Sequence, residues 1–128
     1  MAALAPVLGT MLESCAATPV FRFKPEKGDT EIQIPIEKFK GSTQLLLRLA
    51  NHGFDFLVVK RSDTEYKTLE LKCSHEDQPL SPGNKNIFCN SHGSIFSLDG
   101  QVLKEPAQRP LRSLKTTFGN NVVHIFLA

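Results

Sequence analysis

The sequence predicts an all-β domain, a small antiparallel β-sandwich or partly open barrel, and three observations carry that prediction. From Thr30 onward, short segments with period-2 alternation of apolar and polar residues follow one another, the pattern of strands packed on one core. Turn-forming residues separate them: NHG at 51–53, RSDTE at 61–65, DG at 99–100 and GNN at 119–121. No window of eleven or more residues keeps a 3.6-residue period. With 128 residues the chain fits one domain. Its 41% hydrophobic and 22% charged residues suit a folded, water-facing protein. The net charge is +2 and the 15 Lys and Arg are dispersed, which argues against a nucleic-acid partner, since that needs a clustered basic face.

Residues 1–19, MAALAPVLGTMLESCAATP, stand apart from residues 20–128, which are read as the folded domain. They are small and apolar, with Glu13 as the one charged side chain. They fall short of the roughly 20 apolar residues of a membrane-spanning helix. Their apolar character suits a secretory leader, although the basic n-region is missing. Leu12-Glu13-Ser14-Cys15 resembles a bacterial lipobox, with Cys15 as the lipidated residue. The other reading is a flexible arm carrying a free thiol.

In the domain, EIQIPIEKF (31–39) alternates Ile32, Ile34 and Ile36 against polar neighbours. Pro35 has no N–H to give to a ladder, so this strand belongs at an edge or a bulge. TQLLLRLA (43–50) and FDFLVVKR (54–61) are apolar nearly throughout, as expected of strands buried on both faces. RSDTE closes a hairpin into YKTLELKC (66–73), which sets Leu69, Leu71 and Cys73 on one face. Asp99-Gly100 lies between two alternating runs, the signature of a two-residue type I′ turn. LRSLKTTFGNNVVHIFLA (111–128) reads as two strands around GNN. HEDQPLSPGNK (75–85) has two prolines and no period, and a loop of that length in a small domain is usually functional or disordered.

That loop separates two Cys-plus-His pairs, Cys73-Ser74-His75 and Cys89-Asn90-Ser91-His92. Each pair follows a predicted strand, so a rigid sheet would hold both. Two thiolates and two imidazoles suit either Zn²⁺ or an iron–sulfur centre. Structural zinc sites usually space their ligands C-x₂₋₄-C and H-x₃₋₅-H, and C-x-H is tight for that purpose. With two irons, the cysteine of each loop could bind one iron and the histidine of each loop the other. The chain has three cysteines, so a disulfide framework is not expected. No catalytic set and no glycine-rich phosphate loop stand out, and a nucleophilic Cys89 is the one sharp alternative. His52, before Gly53, reads as a turn-capping histidine, and His124 as a structural residue of the last strand. Tyr66 reads as a packed residue with a wet hydroxyl.

Cys73-x-His75 followed by Cys89-x-x-His92-Gly93-Ser94 resembles the C-x-H…C-x-x-H pattern of Rieske [2Fe–2S] proteins. The likeness runs over about residues 54–128. VVKRSDTEYKTLELKCSH is similar to the hairpin that leads into the first cluster loop. HGSIFSLDGQVLKEPAQRPL is similar to the second loop, its hairpin and a cluster-covering segment, here Pro106 to Pro110. The resemblance implies a two-loop cluster-binding subdomain and one [2Fe–2S] cluster on Cys73, His75, Cys89 and His92. It also implies electron transfer within an oxidoreductase system and no stand-alone reaction. Imidazoles in place of two thiolates remove negative charge beside one iron. That raises the potential from about −400 mV into a range of roughly −150 to +300 mV. The second ring nitrogen of each histidine can also exchange a proton with solvent.

Within the resemblance, Ser94 matches the serine that in quinol-oxidising members donates to a bridging sulfide, which favours a raised potential. Phe96 stands where those members often carry a tyrosine that donates to a cysteine sulfur. Gln78 and Ser91 stand where they carry a disulfide between the loops. The departures at 78, 91 and 96 resemble the disulfide-free ferredoxins of ring-hydroxylating oxygenases. An intermediate potential is therefore expected, with a quinol donor or redox proteins as partners. The expected role is in a respiratory quinol-oxidising chain on the periplasmic side of a bacterial inner membrane, with an anchor, if any, at the N-terminus. A soluble cytoplasmic ferredoxin and a structural zinc domain are the alternatives.

Overall fold

Alternation along the strands decides the layers of this molecule. The computed structural model describes residues 17–127, so the lipobox-like stretch ending at Cys15 lies outside the described residues. The strands are β1 (Val20–Phe23), β2 (Glu31–Pro35), β3 (Gln44–Leu49), β4 (Phe56–Lys60), β5 (Tyr66–Glu70) and β6 (Ser81–Pro82). They continue with β7 (Asn86–Phe88), β8 (Ile95–Ser97), β9 (Val102–Lys104), β10 (Ser113–Leu114), β11 (Thr116–Gly119) and β12 (Val122–Phe126). A five-stranded sheet runs β1-β3-β4-β5-β10, a three-stranded sheet β11-β12-β2 and a four-stranded sheet β6-β7-β8-β9. Among the described residues none of the sheets closes on itself.

The five-stranded sheet lies between the other two because its central strands are apolar on both faces. On β4, Phe56 and Val58 join one buried cluster with Ile32, Ile34, Val123 and Ile125 of β2 and β12. Leu57 and Val59, pointing the other way, join a second cluster with Leu69, Leu71, Ile87 and Phe96. Successive side chains of a strand point to opposite faces, so one strand feeds two cores. Pro35 ends β2, and β2 is the edge of its sheet, where a missing N–H costs nothing.

Three segments depart from the sequence reading. Val20–Phe23 is a strand, paired parallel to β3, in a fold otherwise built from antiparallel pairs. Its four residues alternate, with Phe21 and Phe23 packed against the first core, but a run this short falls below the window that periodicity needs. Ile36 does not continue β2, since Ile36–Phe39 forms a 3-10 turn that tucks Phe39 into the first core. Lys40 and Gly41 leave that turn at φ 51° and 78°. Residues 75–85 are not one open loop, because Lys72 bridges Pro79 and Ser81–Pro82 pairs with β7.

The turn chemistry is exchanged between two hairpins. At Leu98-Asp99-Gly100 only Gly100 has positive φ, at 88°. Ser97 closes a three-residue loop by accepting from the Gly100 N–H and donating to the Gln101 carbonyl. That is a type I turn with a glycine bulge, which satisfies the same Asp-Gly signal as a type I′ turn. The type I′ turn lies instead at Asn120-Asn121, with φ 53° and 61°, directly joining β11 to β12. Gly100 is also required by space: a Cβ there would meet Leu69 Cδ2 at 2.9 Å.

Tyr66 differs from expectation as well. It is 5% exposed, packed between Phe39 and Phe118, and its hydroxyl is buried without a partner among the described residues. His52 does not cap its own turn; its Nε2 lies 2.9 Å from Glu70 Oε2 on β5. His124 pairs through Nδ1 with Glu31 on the neighbouring strand.

Candidate metal centre

The second core ends in two short loops, one from each sheet. After β5 the chain runs through Leu71 and Cys73, both buried against the second core. It then turns back: the Cys73 N–H donates to the Gln78 carbonyl at 2.9 Å, and the Leu80 N–H to the Leu71 carbonyl at 3.2 Å. The second loop joins β7 to β8. The Gly93 N–H donates to the Cys89 carbonyl at 2.9 Å, and the Cys89 N–H to the Ser94 carbonyl at 2.9 Å. Gly93 has φ 82°, with nothing near the place of a Cβ. The glycine after His92 is therefore needed for its backbone conformation, because L side chains rarely adopt that region.

These turns place the four candidate ligands by type. Cys73 and Cys89 are 1% and 2% exposed and belong to the same apolar cluster. His75 and His92 are exposed, and their rings meet edge to face with centroids 5.2 Å apart. Thus the thiols lie inside and the imidazoles outside, at one end of the molecule. Glu76, which the sequence reading did not single out, completes a surface trio in which nitrogen and carboxylate atoms of His75, Glu76 and His92 lie within 4.8 Å of one another. His52 and His124 are held elsewhere by Glu70 and Glu31.

The neighbours of the loops fit a group that accepts hydrogen bonds and sits on sulfur. Ser94 is fully buried, and its Oγ accepts the Ala107 N–H at 2.9 Å. Among the described residues the Ser94 hydroxyl proton has no protein acceptor, so it is free for one that the protein itself lacks, such as a bridging sulfide. Phe96 is fully buried in the cluster that contains both thiols and brings no hydroxyl. Between the loops, Ser91 Oγ reaches Gln78 Oε1 at 3.4 Å, long for a hydroxyl bond. Cys73 and Cys89 are both free.

The segment from Pro106 to Pro110 lies against both loops. Its Ala107 is buried and holds Ser94, and its Arg109 holds Ser74. Ser74 and Arg109 escaped the sequence reading because their partners are 35 positions apart.

Taken together, fold and site define a small β-domain that presents a candidate thiolate–imidazole metal centre at one end. The family model described as "Rieske [2Fe-2S] domain" matches residues 36–115, and the chain belongs to that family. It is accordingly an electron-transfer domain whose cofactor is one [2Fe–2S] cluster. Among solved structures it is similar to the cyanobacterial plasma membrane Rieske protein PetC3 from Synechocystis PCC 6803, with TM-score 0.61 and 22% identity over 76% of this chain and 99% of that one. It is also similar to a chain in the complex of reduced oxygenase and oxidised ferredoxin in carbazole 1,9a-dioxygenase, with TM-score 0.58 and 16% identity over 76% and 93% of the two chains. A third likeness is the ferredoxin of carbazole 1,9a-dioxygenase from Nocardioides aromaticivorans IC177, with TM-score 0.56 and 17% identity over 76% and 97%. Identities this low speak to the fold. No curated protein matches the chain.

Proposed function

We propose that this chain is a one-electron carrier of a quinol-oxidising respiratory chain, working on the outer face of a bacterial inner membrane. Cys73 and Cys89 would hold one iron and His75 and His92 the other. The observation that carries the ligand assignment is the sorting of two buried thiols beneath two adjacent, exposed imidazoles. The cluster supplies a one-electron couple whose potential is raised by its imidazole ligands. The protein's residues do the rest. The second core keeps water from the thiols, Ser94 offers its hydroxyl proton inward, and His75 and His92 form the surface that a donor or acceptor meets.

Ser94 favours the quinol-oxidising reading, because a hydrogen bond toward sulfide stabilises the reduced, more negative form. Phe96 and the pair Gln78/Ser91 favour the second reading, a soluble ferredoxin that serves an oxygenase or another oxidoreductase. Two measurements separate these readings from each other and from a zinc domain. Iron and acid-labile sulfide analysis is expected to give about two of each per chain, whereas one zinc in a colourless protein would remove the cluster. A redox titration is expected to give a midpoint in the middle of roughly −150 to +300 mV. A midpoint at the negative end would transfer the assignment to the ferredoxin. Mass spectrometry of the mature N-terminus bears on location: a lipidated Cys15 is expected for the membrane partner.

A further inference from the structure

The two ligand loops belong to different sheets. The first leaves β5 of the five-stranded sheet, and the second joins β7 to β8 of the four-stranded one. Among the described residues no backbone hydrogen bond joins residues 73–78 directly to residues 89–94. Their direct polar contacts among the described residues are both long and exposed: Ser91 Oγ to Gln78 Oε1 at 3.4 Å and His92 Nδ1 to Glu76 Oε2 at 3.9 Å. A third segment, residues 105–110, is bonded to both. To the second loop it gives the buried Ala107 N–H, accepted by Ser94 Oγ. To the first loop it is tied twice, in both directions: Arg109 Nη2 donates to the Ser74 carbonyl at 2.8 Å, and Ser74 Oγ donates to the Arg109 carbonyl. Cys73, Ser74, Arg109 and Pro110 line the same cleft, so this clasp adjoins one of the buried thiols.

From this we infer that Ser74 and Arg109 form the fastening that sets the first ligand loop against the second, with Arg109 a positioning residue for the metal centre. The inference rests on the ligand assignment proposed above. Arg109 touches neither a thiol nor an imidazole in any hydrogen bond of the described residues; it acts through the backbone of Ser74, which lies between Cys73 and His75. The physical reason is geometric. Two opposed hydrogen bonds between the same two residues fix both distance and orientation, whereas each alone would permit rotation. Both bonds are exposed, so their contribution to overall stability is small. Their effect falls on how often the first loop opens.

The test is the rate at which the cluster leaves the isolated holoprotein in excess iron chelator, followed by visible absorbance. Arg109→Ala is expected to release the cluster about three to ten times faster than the wild type. Ser74→Ala is expected to act in the same direction, while Ser74→Thr, which keeps the hydroxyl, stays at the wild-type rate. The double variant Arg109→Ala/Ser74→Ala is expected to be no faster than Arg109→Ala alone, since both remove one unit. The urea midpoint of the metal-free protein is expected to be unchanged in all of them, which a purely structural role would not leave unchanged. Wild-type release rates in both alanine variants, or equal acceleration by Ser74→Thr and Ser74→Ala, would overturn the clasp. If Arg109→Ala does not fold, the two Ser74 variants decide alone. Wild-type protein without iron would refute the metal centre itself, a result distinct from an iron-loaded protein that releases its cluster at an unaltered rate.

Discussion

The central sheet carries an apolar core on each face, and the two cores are closed by different means. The one facing β2 and β12 is sealed by a ladder: these two strands run five residues each and are paired end to end. The one facing the metal centre is sealed by strands of two or three residues and by loops. Regular pairing satisfies backbone groups locally and is rigid, but it spaces side chains along fixed lines. The two Cys-plus-His pairs come together from two sheets only where the chain leaves the ladder. Segments with short ladders open at lower cost than core strands, so the second core depends on its side-chain contacts in a way that the first does not.

Substitutions at the two cores should separate these dependences. The largest effect is expected from Cys73→Ser or Cys89→Ser: loss of nearly all bound iron by elemental analysis, with the far-UV circular dichroism of the sheets retained. Retained iron would show that the thiols are not ligands. Next, Ile34→Ala in the first core is expected to cost about 2–5 kcal/mol in urea unfolding. The EPR spectrum of the reduced cluster should remain as in the wild type. A changed spectrum would join what the comparison separates. Gly100→Ala, which forces a Cβ against Leu69 at the site-side core, is expected to cost about 1–3 kcal/mol and to accelerate cluster loss.

Smaller effects concern the potential and the turn. Ser94→Ala is expected to lower the midpoint by up to about 59 mV, a tenfold change for one electron, in a redox titration of the loaded protein. An unchanged midpoint would mean that the hydroxyl proton does not reach sulfur. Asn121→Gly, at the type I′ turn of the first core's edge, is expected to stabilise by no more than about 0.5 kcal/mol. It should leave iron retention untouched, as measured by urea unfolding and chelator challenge in parallel.

Much of this was legible in the residues, for reasons that can be named. Ile32 and Ile34 on β2 and the continuous apolar runs of β3 and β4 could be placed because alternation and its absence report burial on one face or two. The two Cys-plus-His pairs were legible because chemistry-bearing residue types recur at short spacings. What could not be read were features of low local signal. Val20–Phe23 is too short for a period and finds its parallel partner 26 positions away. Asp99-Gly100 serves two turn types, and only the register of β8 against β9 selects between them. Tyr66 is buried because Phe39 and Phe118, both distant along the chain, pack against its ring.

The sequence by itself determined the fold class, the two Cys-plus-His pairs and the glycine that follows His92, since each depends on residue type and on spacing along the chain. The tertiary structure decided which of these groups are buried and which are exposed. It brought Arg109 to Ser74 and Ala107 to Ser94, and among the described residues it left the Ser94 proton without a protein acceptor. Those relations join residues 13 and 35 positions apart through the stacking of two sheets. Side-chain identity specifies what a residue can bond, but only the packing of distant segments brings the two partners within reach.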